Sequence, residues 1–122
     1  MQHMVIKPDR GQDFYVGWST IVDAPVWFGT RTEAADYIAR DDRDSPADPV
    51  QARLDRADQY GSSAYPDYGF GHWDDDGFVY EQRGILPRQH LAEACRLLAA
   101  GNDTAVWELL EPFDNETEVR RG

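Results

Sequence analysis

Residues 69–82 read Gly-Phe-Gly-His-Trp-Asp-Asp-Asp-Gly-Phe-Val-Tyr-Glu-Gln, two aromatic runs on either side of an Asp-Gly step. Asp-Gly between apolar runs is the strongest short-range signal for a β-hairpin, because glycine takes positive φ without a Cβ clash. A turn over Asp74, Asp75, Asp76 and Gly77 is therefore predicted, with Phe78 and Tyr80 on one face of the following strand and Val79 and Glu81 on the other. A lone hairpin is marginal in water, so its aromatics need a second hairpin or a helix to cover them.

The partner hairpin is predicted upstream. Phe14, Val16 and Trp18 fall on one face by period two, with Tyr15 and Gly17 on the other. Asp23-Ala24-Pro25 interrupts the run, since proline fixes φ and cannot donate to a ladder. Val26-Trp27-Phe28 resumes it and Gly29 ends it. Residues 1–12 show no periodicity and read as a loose lead-in.

Helices fill the intervals. Thr30 and Glu33 form a capping box for a helix from Arg31 to Arg40, with Ala34, Tyr37 and Ile38 on its apolar face. The run from Asp41 to Asp48 is a charged linker. A second helix starts at Pro49, with Asp48 as N-cap, a thin apolar face of Val50, Leu54 and Ala57, and a stop at Gly61. Pro87 opens a third, carrying Leu91, Ala94, Cys95 and Leu98 and ended by Gly101. Asn102 or Asp103 caps a fourth, which Pro112 ends, and residues 114–122 are a loose polar tail. The layout hairpin–helix–helix occurs twice, with no register in which the side chains agree. The expectation is one α+β domain over residues 1–122: two hairpins forming a mainly antiparallel four-stranded sheet, covered on one face by about four short helices.

Composition narrows function more than it names it. The chain has 122 residues, 41% hydrophobic and 12% aromatic, enough for a core and against wholesale disorder. Its formal net charge is −11. Free nucleic acid and anionic membranes repel such a chain, and Arg40, Arg43, Arg53 and Arg56 are interleaved with aspartates instead of gathered, so direct nucleic-acid binding is not expected. No apolar run is long enough to span a bilayer, and the N-terminal residues lack the pattern of a signal peptide. One cysteine, Cys95, excludes a disulfide framework, and a cytoplasmic location is expected. Lys7 is the only lysine, and this arginine and aspartate bias is the style of small bacterial or phage proteins from GC-rich genomes. Adaptation to high salt is the competing explanation.

Chemistry-bearing patterns are few. His72, Asp74 and Asp76 at alternate positions suit a metal on a straight strand. The turn bends the chain there, and as an EF-hand the run would put Arg83 where a bidentate glutamate belongs, so an exposed acidic turn without metal is the expectation. Cys95 and His90 lie about 140° apart on one helix and cannot act as nucleophile and base. No enzyme motif, and no cofactor, is implied. The aromatics of the hairpins and the acidic linker are what remains, because Trp and Tyr are enriched at binding hot spots. The expected function is non-enzymatic binding of a protein partner through Tyr68, Phe70, Trp73 and Tyr80, flanked by Asp42, Asp44 and Asp48. The alternatives are a DNA mimic that uses the carboxylates from Asp41 to Asp58, and a metal-dependent enzyme at His72, Asp74 and Asp76.

Overall fold

A computed structural model describes residues 3–42, 49–64 and 70–112. Their order is β1 (His3–Ile6), β2 (Tyr15–Ser19), β3 (Ala24–Gly29), α1 (Arg31–Asp42), α2 (Val50–Tyr60), β4 (Gly77–Tyr80), β5 (Gly84–Pro87), α3 (Leu91–Ala99) and α4 (Asp103–Leu109), with a 3-10 turn over Arg88–His90 leading into α3. The mixed α+β class is as expected. The single four-stranded sheet is not: the strands form an antiparallel three-stranded sheet, β1-β2-β3, and a separate antiparallel pair, β4-β5.

Two features separate the sheets. The ladder between β2 and β3 skips Val26, so Trp27 pairs with Gly17 but Pro25 pairs with Trp18. Val26 is thus a bulged residue, and Pro25 beside it has no N–H to offer a further strand. The hairpins meet instead at their tips, where the Glu81 N–H donates to the Asp23 carbonyl over 2.9 Å.

β1 corrects the expectation of a loose lead-in. Its residues pair with β2 from His3 against Ser19 to Ile6 against Val16. The β-branched pair Val5-Ile6 suits a strand buried on both faces, for which no polar alternation is needed. Covering helices on one face only is corrected too. Val5, Tyr15 and Trp27 pack against Ala34 and Ile38 of α1 and Leu54 and Ala57 of α2. Ile6, Val16 and Trp18, on the other face, pack against Phe78, Tyr80 and Leu86 of the second hairpin, with Leu91, Ala94 and Cys95 of α3 and Val106 of α4. The three-stranded sheet is therefore the middle layer. Gly17 is required there, because a Cβ would collide with the Trp27 indole laid across it.

The second hairpin is displaced from its expected register. The Asp-Gly step leads into β4, and the chain reverses through Glu81, Gln82 and Arg83. The Arg83 N–H donates to the Tyr80 carbonyl over 2.8 Å, and Glu81 and Gln82 both lie at positive φ, 50° and 62°, as a type I′ turn requires.

The helices follow their signals closely. The Thr30 N–H donates to Glu33 Oε1 and the Glu33 N–H to Thr30 Oγ1, a complete capping box. Pro49, expected as the first helical residue, stands at the N-cap of α2, which starts one place later at Val50, and the expected cap Asp48 lies outside the described residues. Gly61 ends α2 at φ 90°, close against Trp73 and Arg88, where a Cβ would meet both side chains. Asn102 caps α4. Among the described residues no helix is long and apolar enough to cross a membrane.

Candidate functional site

The aromatics expected to form a binding face are divided by the structure. Tyr80 is only 2% exposed and stands edge-on to Trp18, with ring centres 6.4 Å apart. Phe70 is half-buried against Trp18 and Phe78. Tyr80 is a core residue because β4 turns Phe78 and Tyr80 inward together, and Phe70 packs against the edge of the same cluster, so the face expected to present both is largely buried. Burial also pushes the Tyr80 hydroxyl up to about 12, with Glu81 and Asp103 adding to the shift. Tyr68, Asp44 and Asp48 lie outside the described residues, and Asp42 closes α1.

Trp73 is half-buried and held from several sides. Its indole N–H donates to the Gln59 carbonyl over 2.9 Å and its backbone N–H to Tyr60 over 2.8 Å. The guanidinium groups of Arg10 and Arg88 lie 4.3 and 5.0 Å from the indole centre. Arg88 organises the whole segment. Nη1 donates to the carbonyls of Gly71, His72 and Asp75, Nη2 to those of Lys7 and Gly61, and Nε to that of Pro8. Burial lowers the Arg88 pKa, partly offset by Asp75 and Asp76, but a guanidinium keeps its proton in proteins. Residues 71–76 are thus wrapped around a buried cation, which explains why they do not form a hairpin strand.

The wrapping also disperses the metal candidates. His72 Nε2 lies 3.0 Å from the Ala64 carbonyl, Asp75 accepts the Gly71 N–H, and Asp74 and Asp76 are exposed. Among the described residues no three histidine, cysteine, aspartate or glutamate side chains are grouped to hold a metal ion. Cys95 is buried and its thiol is pushed up to about 12 by that burial.

A polar cluster that sequence reasoning missed joins Lys7, the residue just after β1, to β2, α1 and α2. Asp58 Oδ1 accepts from Lys7 Nζ at 2.7 Å and from the Tyr15 hydroxyl at 2.6 Å, and Oδ2 from Arg31 Nη1 at 2.7 Å. Arg31 Nη2 reaches Asp55 at 2.7 Å and Gln51 at 2.9 Å. Desolvation works against every charge here, but the hydrogen bonds and opposite charges outweigh it for three groups: Asp58 is lowered, Lys7 and Arg31 are raised. Tyr15 is raised by desolvation and by its bond to Asp58. Lys7 and Tyr15 therefore hold their protons more tightly than usual, the opposite of what a general base needs. The cluster ties elements together. The one sequence signal for it was the solitary lysine directly after Val5-Ile6.

The surface where the hairpin tips meet has a different character. Ile21 is 69% exposed and Val22 53%, the two most exposed of the large apolar side chains described. Their turn is well fixed: Ser19 Oγ accepts both of their N–H groups and the Ser19 carbonyl accepts that of Asp23. Gln82 Nε2 donates to Asp23 Oδ2 over 2.9 Å, beside the Glu81 backbone bond. Among the described residues the non-glycine residues at positive φ are Asp23, Glu81 and Gln82, all at this junction. Strained backbone gathered in one place, next to apolar side chains offered to water, marks a candidate binding surface.

No family model, curated protein or solved structure matches this chain.

Proposed function

We propose that the protein is a small acidic, non-enzymatic binder of another protein, and that its contact surface is the hairpin-tip junction. The observation that carries this reading is the exposure of Ile21 and Val22 on a turn pinned to the second hairpin through Asp23. Leaving two large aliphatic side chains in water costs solubility, and holding them rigidly reduces the entropy lost when a partner covers them. The net charge of −11 favours a basic partner. The carboxylates expected to flank the contact, Asp42, Asp44 and Asp48, serve in this reading to steer encounter more than to hold the complex. Trp73, clamped between Arg10 and Arg88, supports its own loop and is a weaker candidate anchor than Ile21.

The DNA-mimic reading draws on the carboxylates between residues 41 and 58. Asp55 and Asp58 of that group are neutralised by Arg31 and Lys7, which does not favour it. The test is affinity capture with the wild type and with the Ile21→Asp/Val22→Asp variant, each first shown to be folded. A protein retained by the wild type and weakened by about 2 kcal/mol or more in the variant is the expected result, since that is the hot-spot threshold. Equal retention by both forms removes the junction from the contact.

A further inference from the structure

The sheets present four outer edges, and three are closed. β1 is covered by residues 61–63: the Lys7 N–H donates to the Gly61 carbonyl, the Ser63 N–H to the Val5 carbonyl, and the Val5 N–H to Ser63 Oγ. β3 is blunted by Pro25 and by the bulge at Val26, two devices that obstruct strand addition. β5 is covered by Glu111, which exchanges both backbone hydrogen bonds with Ile85, at 2.8 and 2.7 Å.

That last exchange fixes the state of β4. In an antiparallel pair, opposite residues alternate between exchanging both backbone bonds and exchanging none. Ile85 gives both of its bonds to Glu111, so Ile85 and Val79 form a pair without them, and the Val79 N–H and C=O point away from β5. Gly77, opposite Pro87, has the same orientation, consistent with the missing N–H of proline. Two residues further along this edge, the Glu81 N–H is taken by Asp23. Among the described residues nothing takes the N–H or C=O of Val79, whose residue is 39% exposed.

We infer that the outer edge of β4 accepts an extended, basic segment of a partner protein as an added strand. This rests on the protein-binding reading above and names the partner's chemistry. Carboxylates mark both ends of the edge: Asp74 and Asp76 before Gly77, and Glu81 and Asp23 at the far end. A second copy of this chain is the wrong occupant. Antiparallel pairing of two β4 strands centred on Val79 would bring two chains of charge −11 together, with Glu81 of each near the Asp76–Gly77 step of the other. An incoming strand with lysine or arginine at alternate positions meets these carboxylates, and its apolar residues can lie on Val79. The added strand ends before Glu81, where Asp23 already closes the edge next to the Ile21–Val22 turn.

The test uses the full chain and a synthetic hexapeptide of alternating lysine and valine, with the glutamate–valine hexapeptide as control. Amide exchange and amide chemical shifts are followed for the wild type, Val79→Pro, Val79→Thr and Ile21→Asp/Val22→Asp. Proline at position 79 removes an N–H that faces outward, so the β4–β5 ladder stays intact, and circular dichroism checks this. The expected result is binding of the basic peptide alone, slowing of Val79 amide exchange at least tenfold, and at least tenfold weaker binding to Val79→Pro but less than threefold to Val79→Thr. Should Val79→Pro fail to fold, protection of the Val79 amide in the wild type decides. Absence of binding, binding without that protection, or an unaffected folded Val79→Pro variant overturns strand addition. If Ile21→Asp/Val22→Asp loses the peptide while Val79→Pro keeps it, the protein-binding surface stands and strand addition does not. Indifference of both variants removes both.

Discussion

Arg88 carries a positive charge into the interior and is held there by carbonyl oxygens of three separate chain segments, near Lys7, Gly61 and His72. Carbonyl dipoles can solvate a buried cation, but they do so only while the fork of N–H groups is present. Arg88→Met would leave those carbonyls without donors in a poorly hydrated site. A loss of about 3 kcal/mol or more in denaturant unfolding is expected, with Arg88→Lys recovering only part of it, because an ammonium group cannot span the same acceptors. A change of less than about 1 kcal/mol for Arg88→Met would mean that the carbonyl cage does not hold segment 71–76. Nothing in the sequence around Pro87-Arg88 announces this role. Arginine in a helical start reads as a surface charge, and only the meeting of residues 7, 61 and 72 in space gives it a different environment.

The second hairpin shows what was legible at the scale of elements. The strand Phe78–Tyr80 and its inward Phe78 and Tyr80 were readable from alternation, and the helices from caps, stops and apolar spacing. The turn was not readable, since it falls on Glu81-Gln82, two residues without turn chemistry, while the strong Asp-Gly signal is spent on the entry to β4. Tertiary contacts outweighed local preference there: Arg88 and the end of α2 hold residues 71–76, so the reversal had to occur later. Asn and Gly tolerate positive φ where Glu and Gln are strained. The Glu81→Asn variant, which leaves the Gln82–Asp23 bond in place, is accordingly expected to raise stability by about 1 kcal/mol, visible as a higher midpoint with unchanged m-value. A lower midpoint would contradict a type I′ turn at these positions. The Asp58 cluster was equally hidden, because its members come from four separate stretches of the chain. Its pH signature has two limbs. Asp58 is lowered in the folded state, so its contribution is complete above the ordinary carboxylate range and is lost as pH falls through and below about 4. Lys7 and Tyr15 are raised, so theirs is complete below about pH 10 and is lost as pH rises beyond it. Thermal melts across pH should therefore be flat near neutrality and fall at both extremes, and Asp58→Asn should flatten both limbs. Unaltered limbs in that variant would place the pH response elsewhere.

For the whole molecule, the layering decides where function can reside. The three-stranded sheet is covered on both faces, so the aromatic residues that dominate the sequence, Trp18, Trp27, Phe78 and Tyr80, are committed to cohesion between layers. At the rim, Ile21 and Val22 stand exposed and β4 leaves an edge uncovered among the described residues, and the proposed contact lies there. A period-two pattern identifies faces, but it cannot say which edges of a sheet are covered, so a reading from the sequence alone turns to the aromatics. The most direct test of the account is amide hydrogen exchange in the free protein at Phe78, Val79 and Tyr80. The amides of Phe78 and Tyr80 face β5 and should exchange only through opening of the hairpin, whereas the Val79 amide faces outward and should exchange faster by orders of magnitude. A Val79 amide as protected as that of Phe78 would show that the edge is already covered, and would contradict the account.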